Sequence, residues 1–100
     1  MIIEIADFSV EESKRADFEL AIANGVKTVL SKAKGYQGHK IMSSQENKER
    51  VVLMVNWATL EDHTVGFRQS PDFTNWRAII GPFFKSPPVV EHFVVSDQTS

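Results

Sequence analysis

The chain has 100 residues, 42% of them hydrophobic and 24% charged, with a formal net charge of −2 and no cysteine. This balance fits one globular domain over residues 1–100 and excludes disulfides, thiolate metal sites, iron–sulfur clusters and a cysteine nucleophile. No block of like charges suggests a nucleic-acid binder, and the opening "MIIEIADFSVEESK" lacks the basic-then-apolar build of a secretory signal. Apolar runs are too short to span a bilayer, so the expectation is a cytoplasmic protein without membrane contact.

"MIIEIADF" reads as a first strand. Ser9 and Glu12 have the spacing of a capping box, in which each side chain bonds the other's free backbone N–H, so a long helix is expected from there. Phe18, Ile22, Val26, Val29 and Ala33 recur at helical steps and form its inner face, with Gly25 as a close packing point. Lys34-Gly35 ends that helix, with Gly35 in the left-handed position.

"YQGHKIMSS" is a second strand, "QENKER" a turn and "VVLMVNW" a third strand. The third strand has so little polar alternation that burial on both faces is expected. Thr59 and Asp62 cap a short helix. Ser70, Pro71 and Asp72 open another, which Gly81-Pro82 stops. "VVEHFVVS" is the fourth strand and "DQTS" a frayed tail. The order strand, helix, strand, strand, helices, strand is the split βαβ pattern: α+β, ferredoxin-like, a four-stranded antiparallel sheet with helices on one face. The other sheet face is apolar, which predicts a homodimer built face to face.

His63 is the first candidate for chemistry. Leu60, His63 and Phe67 fall on one side of a helix, so the imidazole points with the apolar face, where it can act as a base near neutral pH or sit packed in the core. A pocket histidine would be partly hydrated and a core histidine fully packed. Trp57, Phe67, Phe73 and Trp76 read first as core aromatics. Asn56 and Trp57 are adjacent on a strand, so only one of them can face a given pocket. Arg68 reads as a surface ion-pair residue, with a second reading at a pocket edge against an anionic substrate. His92, between Val90 and Val94, reads as a core or dimer-interface residue, and His39 lies opposite the face of Tyr36 and Lys40. No ligand-spaced residues, phosphate loop or dinucleotide fingerprint appear, so no metal or cofactor is expected.

The stretch "KGYQGHKIMSSQENKERVVLMVNWATLEDHTVGFRQSPDFTNWRAIIGPFF", followed by "VVEHF", resembles the antibiotic biosynthesis monooxygenase family. The resemblance implies a dimeric α/β barrel. It also implies a cofactor-independent monooxygenase acting on a small planar aromatic, phenolic or quinone-related, with His63 as base and Trp57, Phe67, Phe73 and Trp76 around the substrate. The alternative it leaves open is a non-catalytic barrel that binds a small apolar ligand or simply dimerises. Haem-degrading relatives carry an Asn on strand one, a Trp on the helix and a His as iron ligand. Here strand one has no Asn, Phe67 stands for the Trp and Arg77 for the His, which argues against haem degradation.

Overall fold

The computed structural model describes residues 1–99; Ser100, the last residue of the expected frayed tail, lies outside them. The elements are β1 (Ile2–Ser9), α1 (Arg15–Thr28), β2 (Tyr36–Ser43), β3 (Arg50–Trp57), α2 (Pro71–Ile80) and β4 (Val89–Phe93). All strand pairs are antiparallel, in the order β2-β3-β1-β4, which is the ferredoxin-like α+β fold the element order predicts. Among the described residues no helix is long and apolar enough to cross a membrane.

Strand periodicity sorts the side chains. Glu4, Ala6 and Phe8 of β1 and Val51, Leu53, Val55 and Trp57 of β3 are buried under the helices. Phe18, Ile22 and Val26 of α1 and Trp76 and Ile80 of α2 close the core from above. Gly25 is a close packing point as expected: a Cβ there would lie 3.0 Å from the Trp76 ring. β3 is buried on its inner face, and on its outer face Val52, Met54 and Asn56 are half-buried within one chain.

The capping box does not form. Ser9 is still strand, paired with Arg50, and its carbonyl accepts the Lys85 N–H at 2.8 Å. The chain then passes a 3-10 turn (Glu12–Lys14) before α1 begins at Arg15, and no side chain caps it. The helix also ends sooner than its periodicity suggests, at Thr28. Thr28 and Ser31 donate their hydroxyls back to the carbonyls of Asn24 and Lys27, and the backbone leaves helical values at Val29. Side-chain bonds of this kind compete with the helix ladder. Gly35 does adopt positive φ, 88°, but as the turn into β2; the Asp62 side chain sits where a Cβ would be.

Candidate active site

The site is built on the inner side of the β1–β4 edge. A β-strand places every second residue on one face, so Glu4, Ala6 and Phe8 form a row under the helices. Across the ladder Glu4 lies opposite His92 and Ala6 opposite Val90. His92 therefore points toward the helical layer. Of the two residues that suggested core or interface, Val90 shares this inner face, opposite Ala6, and Val94 lies past the end of β4.

His63 arrives from above. Thr59 caps the segment, its hydroxyl accepting the Asp62 N–H at 3.1 Å, as expected. The following turns are not α-helical but π-helical, Asp62–Phe67, and Arg68 N–H reaches back five residues to the His63 carbonyl at 3.0 Å. Such bulges re-aim a side chain by inserting one residue per turn. His63 is brought down onto Trp57, stacked at 5.0 Å and 17°.

A chain of polar groups results. Trp57 Nε1–H donates to Glu4 Oε1 at 2.9 Å, and His63 Nε2 stands 3.4 Å from that same oxygen. On the other side of the ring, His63 Nδ1 and His92 Nε2 are 2.7 Å apart. Glu4 and His63 are both buried, at 6% and 4% exposure. Such polar groups are costly inside a core unless they are bonded to one another. Burial pushes the His63 imidazole down to about 3, helped by the Arg68 guanidinium and by His92. Burial also lowers His92, with Arg68 adding to the effect. Glu4 moves the opposite way: burial raises it, against the Trp57 hydrogen bond and the charge of Arg68.

At neutral pH His63 is thus uncharged, and its contact with Glu4 is not an ion pair. With both imidazoles neutral, two arrangements of protons satisfy the chain. In one, His92 Nε2–H donates to His63 Nδ1 and His63 Nε2–H faces an ionised Glu4. In the other, a protonated Glu4 faces Nε2, and Nδ1–H donates to His92. The passage from one to the other is a proton relay between the interior and the half-buried His92.

The chain opens onto a cavity of about 320 Å³ between β1, β4 and α2. Glu4 and His63 line one part of its wall and Phe73 and Trp76 another. Trp57 and Phe67 do not reach the wall; both are buried behind His63, with ring centroids 5.0 Å and 6.4 Å from it. Arg68, read from sequence mainly as an ion-pair residue, lines the cavity, and among the described residues no acidic side chain pairs with it. No group of three metal-ligating side chains comes together among the described residues. Tyr36 and His39 also correct the reading. A bulge between them, with Gly38 at φ 119°, puts both on one side, their hydroxyl and Nδ1 2.6 Å apart.

Sequence reasoning did not single out Glu4, and it read His92 as a core or dimer-interface residue rather than as a member of this chain. Their signal was phase: Glu4 shares its strand face with Phe8, so if Phe8 is core, the carboxyl is buried with it and needs a partner.

The chain is similar to several known proteins. YczJ, an uncharacterized protein of Bacillus subtilis, is 37% identical over 93 residues, covering 93% of this chain and 97% of YczJ. A Bordetella bronchiseptica protein of known crystal structure is 38% identical and superposes with a TM-score of 0.88 over 94% of this chain and 95% of its own. More distant structures share the fold. One is a monooxygenase of Streptomyces coelicolor in complex with nanaomycin D, 16% identical with a TM-score of 0.84 over 99% of this chain and 90% of that one. Another is SnoaB, a cofactor-independent oxygenase of Streptomyces nogalater, 13% identical with a TM-score of 0.80 over 97% and 94%. The family model for antibiotic biosynthesis monooxygenases matches residues 1–79, and the chain belongs to that family.

Proposed function

We propose that the cavity is the active site of a cofactor-independent monooxygenase acting on a small planar aromatic with a phenolic or anthrone-like acidic hydrogen. The observation that carries this reading is the Glu4–His63–His92 chain opening into a cavity walled by Phe73 and Trp76. Catalytic bases work best when their affinity for protons approaches that of the medium, and burial moves Glu4 in that direction. His63, held near 3, is a weak base by itself. It serves as the middle of the relay, taking a proton on one nitrogen as it releases one from the other.

In this reaction Glu4 takes the acidic hydrogen from the substrate, and His63 and His92 carry the proton outward. The substrate anion gives one electron to dioxygen. The resulting carbon radical and superoxide combine to a peroxide anion, which takes a proton back through the relay and then loses water to leave a carbonyl. One CH₂ and one O₂ become one C=O and one H₂O. The protein contributes orientation between flat walls and removal of water from the anion. The cavity volume, about 320 Å³, is at the small end of the range of about 300–1,000 Å³ for ligand pockets, which suits a compact fused-ring compound.

A homodimer through the outer sheet face accompanies this reading. Ile3, Ile5, Val52 and Met54 form a half-buried apolar strip there, and Phe93 and Val89, 45% and 68% exposed, extend it. Light scattering at low micromolar concentration is expected to give twice the chain mass. The enzymatic reading is tested with an oxygen electrode and an anthrone, chelator present. Oxygen uptake above the protein-free rate, with quinone formed, supports it; binding of the anthrone without uptake indicates a ligand-binding barrel instead.

A further inference from the structure

The cavity is longer than its reacting end requires. Along β1, Glu4 to Phe8 spans about 13 Å at the usual rise of a strand. Ala6, the smallest of the three inward residues, leaves room in the middle. The relay occupies one end, with Arg68 close enough for its charge to be felt at Glu4, His63 and His92. The far end is aromatic, formed by Phe8 and Phe84, and there stands Arg77, one helical turn beyond Phe73 on α2. Its guanidinium lies 5.9 Å from the Phe73 ring centroid and 5.6 Å from that of Phe84. Among the described residues neither Arg77 nor Arg68 has an acidic partner, and neither donates a side-chain hydrogen bond to another residue. The cavity thus sets two guanidiniums against a single carboxyl group, Glu4.

We propose that the cavity selects a flat aromatic that carries a carboxylate at the end remote from its reacting ring, and that Arg77 anchors this carboxylate. A guanidinium held over aromatic walls meets a carboxylate in the plane of a ring stacked between the same walls, with two parallel N–H···O bonds available. Arg68, beside the relay, lowers the cost of the anion that forms when the substrate loses its proton. The inference rests on the monooxygenase reading for which end reacts, but the selectivity of binding does not depend on turnover.

The test compares an anthraquinone bearing a carboxylate with the same compound as its carboxamide, titrated against tryptophan fluorescence, which Trp76 in the wall makes sensitive to occupancy. Wild type is expected to bind the acid about tenfold more tightly than the amide, the effect of one charge-assisted anchor at a partly exposed site. Arg77→Gln is expected to bring the acid down to the level of the amide, and Arg77→Lys to retain part of the preference. Raising the salt concentration should narrow the gap in wild type. Because Arg77 is exposed, circular dichroism of the variants should match wild type. Equal binding of acid and amide by wild type, or a preference undiminished in Arg77→Gln, overturns the proposal. A clear acid preference in a protein that consumes no oxygen upholds it and sinks the enzymatic reading. Oxygen uptake with no acid preference does the reverse.

Discussion

The two ends of β1 face the same helices and are filled by opposite means. At the Phe8 end the contacts are aromatic: Phe8 meets Phe18 edge-on at 5.4 Å and stacks with Phe84 at 5.4 Å, and Phe18 meets Phe83 at 5.6 Å. At the Glu4 end a carboxyl, an indole and two imidazoles satisfy one another. The aromatic end stabilises by removing apolar surface from water and by close packing, which needs no particular partner. The polar end costs desolvation and stays folded only because its members are bonded together. Four residues along one strand thus separate a region that holds the fold from one whose composition makes sense for chemistry.

Replacing residues at each end should separate stability from function. Phe18→Ala, in the aromatic cluster and away from the cavity wall, is expected to cost about 3–5 kcal/mol in denaturant melts. In whatever fraction stays folded, the polar chain at the other end should stay intact and oxygen uptake should be retained. A loss below about 1 kcal/mol would mean that the Phe8 end is not the structural one.

His63→Ala tests the polar end. The sequence posed packed core against hydrated pocket as alternatives, but His63 is both buried and part of the cavity wall. The variant is therefore expected to lose about 1–3 kcal/mol from the missing contacts and hydrogen bond, and turnover with it. It should also flatten the acid limb of stability. The folded imidazole is depressed to about 3 from 6.5, so between those values the unfolded chain binds the extra proton and stability falls as pH falls. The slope approaches about 1.4 kcal/mol per pH unit from this group. Glu4 opposes it, because its raised value makes the folded state bind the proton more readily above pH 4.5. His92, lowered as well, adds to the slope of His63. Chemical melts from pH 7 to pH 4 should show the steeper loss in wild type and the shallower one in His63→Ala. Identical slopes would mean that His63 does not remain neutral in the folded protein.

A smaller effect is expected at Gly25. A methyl group there meets the Trp76 ring at 3.0 Å, so the ring must shift. Strain of about 1–3 kcal/mol is partly offset by the better helix propensity of Ala, about 1 kcal/mol. Gly25→Ala should therefore lose little stability while weakening aromatic ligands several-fold, because Trp76 is cavity wall. Unchanged fluorescence titrations would remove Trp76 from the binding surface.

The strands, both helices and the close approach at Gly25 were legible from periodicity and small-residue placement. The distortions were not. The π-helical stretch that aims His63 and the bulge that joins Tyr36 to His39 each shift one residue, and strict two- or three-to-four-residue spacing cannot register such a shift. Ser9 and Glu12 had the spacing of a cap, but the ladder with Arg50 kept Ser9 in the strand. The polar chain was half legible. His63 stood out by residue type, whereas Glu4 was absorbed into an apolar-looking strand because Ile3 and Ile5, its neighbours, face the other side.

Oxygen uptake with an anthrone at pH 7, compared between wild type and Glu4→Gln, tests the role of the polar end most directly. Gln retains an acceptor oxygen for the Trp57 N–H and removes the proton-accepting carboxylate. Wild type should consume oxygen above the protein-free rate, with quinone formed, and Glu4→Gln should fall at least about a hundredfold, the usual weight of a positioned base, while its melting midpoint is held or raised. Wild-type uptake in Glu4→Gln, with the fold intact, would contradict the assignment of Glu4 as the proton acceptor.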